Sequence, residues 1–139
     1  MSFTADYVED GRGLLFQGQG ALTCEQIIVA KRALLVQPER LHEVSHARIV
    51  LEHVTELPLT AEDIRLIVDV DREIARHLPH AVVAIAAAMD LPFGVARMWQ
   101  MLAEDIGWTI AVFRSRSHAD EWLHAQLAGL GLIPGVTQS

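Results

Sequence analysis

The chain has one cysteine and one lysine, and both scarcities restrict what it can be. Cys24 has no second cysteine to pair with, which excludes an internal disulfide and a zinc site built from a cysteine cluster. Basic residues number 11 against 18 acidic ones, and the formal charge of −7 argues against non-specific nucleic-acid binding, which requires many cations. We therefore expect no cofactor, no metal ion and no nucleic-acid partner.

Long hydrophobic runs are also missing. The longest run, AVVAIAAAM over residues 81–89, is far shorter than the ~20 residues that cross a bilayer. The opening residues, MSFTADYVED, contain neither the basic region nor the apolar core of a secretory signal. We expect a cytoplasmic protein without a membrane span. Its 139 residues, of which 51% are hydrophobic, suit one domain over residues 1–139 with a sizeable core.

What the sequence does contain is a regular alternation of strand-like and helix-like segments. Short apolar runs predict strands over residues 7–9, 14–19, 48–54, 81–87 and 108–113. Amphipathic stretches predict helices over 23–36, 60–78 and 91–106, and a last helix from 115 or 117 to about 129. The tail, IPGVTQS, is expected to be loose.

This order of segments predicts the fold class. Strands that alternate with helices pair in parallel through right-handed crossovers. Asp10-Gly11 between the first two strands indicates a hairpin, which adds one antiparallel strand. Residues 81–87 are apolar on both faces, which predicts a central strand, and residues 108–113 are predicted to be the next central strand. The prediction is an α/β fold with a mixed, mostly parallel sheet of about five strands and alternating helices.

Two segments resemble the SpoIIAA-like branch of the STAS superfamily. The segment WTIAVFRSRSHADEWL combines a strand, a polar bend and a helix that carries Ala119, Trp122 and Leu123 in the branch's Ala-x-x-Trp-Leu pattern. The segment ARIVLEHVTELPLTAEDI resembles its strand, loop and helix start. The resemblance covers roughly Tyr7 to Leu127. It implies a STAS-like regulatory or protein-binding module without catalytic residues, which binds partner proteins or itself.

The same resemblance points to the start of the second predicted helix, where some STAS domains are phosphorylated on a serine. This sequence lacks the expected Asp-Ser pair, and Thr60 is the only hydroxyl residue there. Thr60, Glu62 and Asp63 therefore have two interpretations. One is a helix cap, in which Thr60 accepts a backbone hydrogen bond and Asp63 favours the positive end of the helix dipole. The other is a switch or partner-docking surface.

The polar segment before the last helix also has two interpretations. Ser117 and Asp120 have the spacing of an S-x-x-D helix cap. Alternatively, Arg114, Arg116, Ser117 and His118 form an anion-binding site at the helix start, where backbone N–H groups attract negative charge. The serine, histidine and aspartate are nearly consecutive and lack a G-x-S-x-G elbow, so a hydrolase triad is not predicted.

The helix predicted over residues 91–106 has more apolar surface than one core stripe needs. Met98 also fits a core stripe, whereas Phe93 and Met101 remain for a subunit contact or a ligand. We take Phe93, Met98 and Met101 as candidate partner-binding residues. The alternative function is a carrier of a small lipophilic or anionic ligand, as in the apolar cleft of the related CRAL-TRIO lipid carriers. Arg114 and Arg116 would then hold an acidic head group.

Overall fold

The computed structural model describes residues 2–132, which form one five-stranded sheet with helices packed on both faces. The strands are β1 (Ser2–Val8), β2 (Gly13–Ala21), β3 (His46–Glu56), β4 (Val82–Ala86) and β5 (Thr109–Phe113). The α-helices are α1 (Cys24–Ala33), α2 (Ala61–Ala75), α3 (Asp90–Leu102) and α4 (Arg116–Gly129). The predicted loose tail, residues 133–139, lies outside the described residues.

The sheet confirms the predicted fold class. Its strand order is β1-β2-β3-β4-β5; β1 is antiparallel to β2, and the other neighbours are parallel. Glu9, Asp10 and Gly11 in the hairpin turn have φ values of 54°, 58° and 82°. This left-handed conformation is most easily adopted by Gly, Asn and Asp, which explains the Asp-Gly pair of the sequence.

The first strand is longer than predicted and begins five residues earlier, at Ser2. Phe3, Ala5 and Tyr7 pack against the core, whereas Thr4 and Asp6 face solvent. This is the period-two pattern of a half-buried strand. Our prediction of residues 7–9 missed it because the segment contains no continuous apolar run. Glu9, predicted as strand, belongs to the turn.

The prediction that residues 108–113 form a central strand is wrong. β5 runs from Thr109 to Phe113 and, among the described strands, lies at the edge of the sheet beside β4. Ile110 and Val112 pack against the core beneath α3, and Phe113 packs against Trp122 of α4. Two-sided apolarity therefore reflects a helix on each face of the strand and carries no information on whether its outer edge is paired.

The helices begin near their predicted first residues; α1, α2 and α3 end earlier than predicted, whereas α4 ends at Gly129, as predicted. α1 ends at Ala33, and two short 3-10 helices follow it, over Leu34–Val36 and Pro38–Glu43. Pro38 starts the second 3-10 segment. α3 ends at Leu102, where a 3-10 turn over Glu104–Ile106 follows.

Two apolar clusters lie on opposite faces of the sheet. The front face, defined here as the face that bears Phe16, Ile49 and Ile85, is covered by α1, α2 and α3. On the back face, α4 covers the part of the sheet that contains β4. There Ala119, Leu123 and Leu127 of the helix pack against Val82, Ala84 and Ala86 of the strand. β4 is thus buried on both faces, as predicted for residues 81–87. Among residues 2–132, no helix is long and apolar enough to cross a membrane.

Candidate functional site

The start of α2 has the geometry of a capping box. The Asp63 backbone N–H donates to Thr60 Oγ1 at 3.0 Å, and the Thr60 backbone N–H donates to Asp63 Oδ2 at 3.0 Å. Each residue thereby satisfies a donor that the first turn would otherwise leave free. Thr60 and Glu62 are exposed and Asp63 is half-buried. The cap interpretation matches this geometry, and a switch role for these three residues stays a prediction.

The predicted anion site at the start of α4 contains a carboxylate from the chain itself. The Arg116 backbone N–H donates to Glu52 Oε2 at 3.0 Å, and Arg114 pairs with Asp90 at 2.6 Å. An external anion would compete with Glu52 for that backbone donor. Anion binding by Arg114, Arg116, Ser117 and His118 therefore stays a prediction, with Glu52 as its internal competitor.

The predicted S-x-x-D cap is wrong. Ser115 is the N-cap of α4, and its Oγ accepts from the His118 backbone N–H at 3.2 Å. Asp120 points to the sheet instead, where its Oδ1 accepts from Arg48 Nε at 2.9 Å. Two serines two residues apart offer alternative caps, and the tertiary pairing of Asp120 with Arg48 favours the helix that begins after Ser115.

The structure separates the three candidate residues of α3. Phe93 is half-buried beneath Arg114, whose guanidinium carbon lies 4.0 Å from the ring centroid. Met98 and Met101 are exposed, together with Leu91. The helical period of 3.6 residues places Leu91, Met98 and Met101 on one side of the helix and Phe93 on another. Phe93 therefore does not belong to the methionine surface.

A buried ion pair beneath α1, α2 and α3 was missed by the sequence analysis. Lys31 Nζ lies 2.7 Å from Asp71 Oδ1, and the two residues are 5% and 0% exposed. Trp99 Nε1 donates to Asp71 Oδ2 at 2.8 Å, so one carboxylate joins residues of all three helices. Lys31 Nζ also lies 5.3 Å from the ring centroids of Phe16 and Trp99, close enough for cation–π attraction.

A sequence signal for this pair existed. Lys31 follows Ile27 by four residues, and Asp71 lies four residues after Ile67 and three before Ile74, so both charges fall on the apolar stripes of their helices. A charged residue within such a stripe is almost never fully buried without a partner. The two positions could have been proposed as partners on this ground.

Lys31 also borders two cavities. The larger, of about 60 Å³, is partly open and lies between the sheet and the helices; Ile64 and Ile67 of α2 and Val95 of α3 line it. The smaller, of about 30 Å³, is bordered by both members of the ion pair and by Trp99. Neither Arg114 nor Arg116 borders either cavity, so the predicted acidic-head site and the apolar space are separate.

A second polar cluster lies on the back face, near the hairpin. His46 is fully buried, and its Nε2 lies 2.8 Å from Glu9 Oε1, which also accepts from Arg48 Nη1 at 2.8 Å. Burial raises the pKa of Glu9, but hydrogen bonds from His46 and Arg48 outweigh it and leave that pKa below its ordinary value. The cluster therefore ties the hairpin, β3 and α4 together through Glu9, Arg48 and Asp120.

Comparisons with known proteins support the fold. No protein-family model matches the chain, and no curated protein matches it. Among solved structures, the chain is similar to an uncharacterized protein of the DUF3478 family with a SpoIIAA-like fold from Shewanella loihica. The two share 20% identity with a TM-score of 0.52, over 88% of this chain and 92% of that one. At that identity the likeness shows the fold alone, and it confirms the SpoIIAA-like fold predicted from residues 47–64 and 108–123.

Proposed function

We propose that this chain, a SpoIIAA-like domain over residues 1–139, is a non-enzymatic STAS-like module that docks on a protein partner through the outer side of α3. The observation that carries the proposal is a set of exposed apolar side chains there: Leu91, Met98 and Met101 are 66%, 42% and 68% exposed. We call these three residues the α3 apolar surface. Gly94 lies among them, and apart from its chain neighbours and its own helix backbone, no atom of residues 2–132 lies within 4 Å of where its Cβ would be.

Apolar side chains that stay in contact with water carry a free-energy cost. Full burial of one such side chain is worth about 1.5–3 kcal/mol, and neighbouring exposed residues of this kind mark interaction sites. Methionine side chains are flexible and polarisable, which suits an interface that adapts to its partner. A partner with a complementary apolar face would therefore gain affinity from contact with α3.

The experiment uses a photo-crosslinking amino acid in place of Met101, with the same substitution of Val36 as the control. Val36 is 80% exposed and lies in the 3-10 segment after α1. Position 101 should capture a protein that position 36 does not. That protein, once purified, should bind the wild-type chain and the Val36→Glu variant equally, and the Met98→Glu/Met101→Glu variant at least tenfold more weakly by calorimetry.

Equal binding of the partner to the wild type, the Val36→Glu variant and the Met98→Glu/Met101→Glu variant would contradict a docking role for α3. Size-exclusion chromatography with light scattering on the same variants identifies a second copy as partner. In that case the wild type and the Val36→Glu variant should be dimeric and the double variant monomeric. This outcome would support the predicted self-association and assign it to the α3 apolar surface.

A second candidate function, the binding of a small lipophilic ligand, is supported by the larger cavity. Its volume of about 60 Å³ is less than the roughly 150 Å³ of an engineered cavity that holds benzene, so a ligand must displace lining side chains or extend through the open side. A bound ligand stabilises the folded state, by about 2.7 kcal/mol when its concentration is 100 times Kd.

Native mass spectrometry of freshly purified protein tests this candidate by detecting a retained small molecule. Ala96 lines the cavity and is buried, so Ala96→Leu should fill the space and abolish retention. Ala125 is exposed on α4, and Ala125→Leu serves as the matched control. Retention by both variants would contradict binding in this cavity.

A further inference from the structure

Lys31 is the one charged residue among the mainly apolar side chains that line the larger cavity. An ammonium has three N–H donors, and among residues 2–132 the one hydrogen bond from Lys31 Nζ goes to Asp71. The aromatic rings of Phe16 and Trp99, each 5.3 Å away, attract the charge but accept no strong hydrogen bond. Lys31 is 5% exposed and is among the residues that line the cavity, so an occupant of that space would lie next to an ammonium with N–H donors that Asp71 does not use.

We propose that the cavity binds a small, uncharged, mainly apolar molecule whose single hydrogen-bond acceptor, a carbonyl or hydroxyl oxygen, contacts Lys31 Nζ. The proposal rests on the second candidate function above and specifies its ligand class. The apolar part of the molecule would contact Ile64, Ile67 and Val95, which line the same cavity.

Charge balance decides between a neutral ligand and an acid. Lys31 and Asp71 form an ion pair without net charge, at 2.7 Å. A carboxylate beside Lys31 would leave two buried negative charges against one positive charge, which is costly in an apolar environment. A neutral acceptor satisfies the free donor and adds no charge. The anionic ligand considered from the sequence is therefore disfavoured at this cavity.

Three probes of similar size separate these possibilities: cyclopentanone, methylenecyclopentane and cyclopentanecarboxylate. The first two have the same shape and differ in whether the ring carries an oxygen or a CH₂ group. The NMR signal of the Trp99 indole N–H reports on the site because this group donates to Asp71. Titrations of the wild-type protein should show that cyclopentanone binds about tenfold more tightly than the hydrocarbon, and that the carboxylate binds most weakly.

The Lys31→Met/Asp71→Asn variant removes both charges together and keeps an acceptor for the Trp99 indole N–H, and residue 71 does not line the larger cavity, which stays apolar. It avoids the unpaired buried aspartate that Lys31→Met alone would leave, so the fold should persist. Backbone NMR signals of the cavity-lining residues report binding in both proteins. In this variant the tenfold preference for cyclopentanone should disappear, whereas methylenecyclopentane should bind as tightly as before or more tightly.

Equal affinity of the wild type for the ketone and the hydrocarbon would overturn the role of Lys31 and leave the cavity as a purely apolar site. A ketone preference that persists in the double variant would overturn it as well. Tightest binding of the carboxylate would overturn the neutral ligand class. Absence of binding by all three probes would overturn both this inference and the candidate function on which it rests.

Discussion

The polar clusters on the two faces of the sheet place their charges in different surroundings. On the front face, Lys31 and Asp71 are enclosed by helices and by apolar side chains. On the back face, Glu9, Arg48 and Asp120 form a chain of ion pairs whose two carboxylate side chains are partly exposed to solvent. A charge in an apolar interior depends entirely on its partner, whereas a charge near solvent can return to water. The front cluster should therefore be the more sensitive to the loss of one member.

The largest expected effect is that of Asp71→Ala, which leaves Lys31 as an unpaired buried charge and Trp99 Nε1 without its acceptor. We expect a loss of about 3–5 kcal/mol in the free energy of unfolding, measured by urea denaturation. The Lys31→Met/Asp71→Asn variant should lose much less, because it removes both charges together and keeps an acceptor for Trp99 Nε1. Equal losses in the two variants would mean that the front cluster is sensitive to packing and not to charge.

The next effect concerns the back-face cluster through Gly13. A Cβ at this position would lie 2.6 Å from His46 Nε2 and 2.9 Å from Glu9 Oε1, inside the cluster. Because His46 is fully buried and cannot move freely, Gly13→Ala should cost about 1–3 kcal/mol by urea denaturation. Gly94→Ala, in an open helical position, is the control and should be neutral or slightly stabilising.

A smaller effect distinguishes the two serines at the start of α4, which lies on the back face. Ser115→Ala removes the hydroxyl that accepts from the His118 backbone N–H and should cost about 1 kcal/mol. Ser117→Ala should change stability by less than about 0.5 kcal/mol, because this hydroxyl does not cap the helix. If thermal unfolding showed a larger loss of stability for Ser117→Ala than for Ser115→Ala, the result would support the S-x-x-D cap at Ser117.

The smallest expected effect is a pH dependence that arises at Glu9. Its pKa in the folded protein lies below the ordinary value of 4.5, so the unfolded chain takes up a proton first as the pH falls. The stability contributed by Glu9 is therefore present above about pH 4.5 and is lost as the pH falls through the folded pKa. Melting temperatures between pH 3 and 6 should fall less steeply for Glu9→Gln than for the wild type. Exposed Glu121→Gln should follow the wild type.

The comparison of the two clusters also explains what sequence analysis could predict. The alternation of segments predicted the sheet and helices, and local spacing predicted the Thr60–Asp63 cap, because these features depend on residues three or four positions apart. Asp120 shows where this approach fails. It stands three residues after Ser117 in the pattern of a cap, yet its carboxylate accepts a hydrogen bond from Arg48, which is 72 residues away.

The same limit applies to the candidate sites. Phe93, Met98 and Met101 lie on one helix, as predicted, but only the two methionines share an exposed surface with Leu91. The 3.6-residue period separates Phe93 from the methionines, but which side faces solvent depends on how the helix is rotated against the sheet and against Arg114, a residue of another segment. The number and spacing of apolar residues along α3 do not determine that rotation.

The sequence by itself determined the order of strands and helices, the first turn of α2 and the mixed sheet, because hydrophobic period and capping act over a few residues. Tertiary structure alone decided that β5 is an edge strand, that Glu52 meets the start of α4, and that the single lysine lies beside a cavity opposite Asp71. The last two outcomes depend on contacts between residues 40 and 64 positions apart, and the first depends on the order of strands across the sheet; packing of the whole chain sets all three, and local pattern does not.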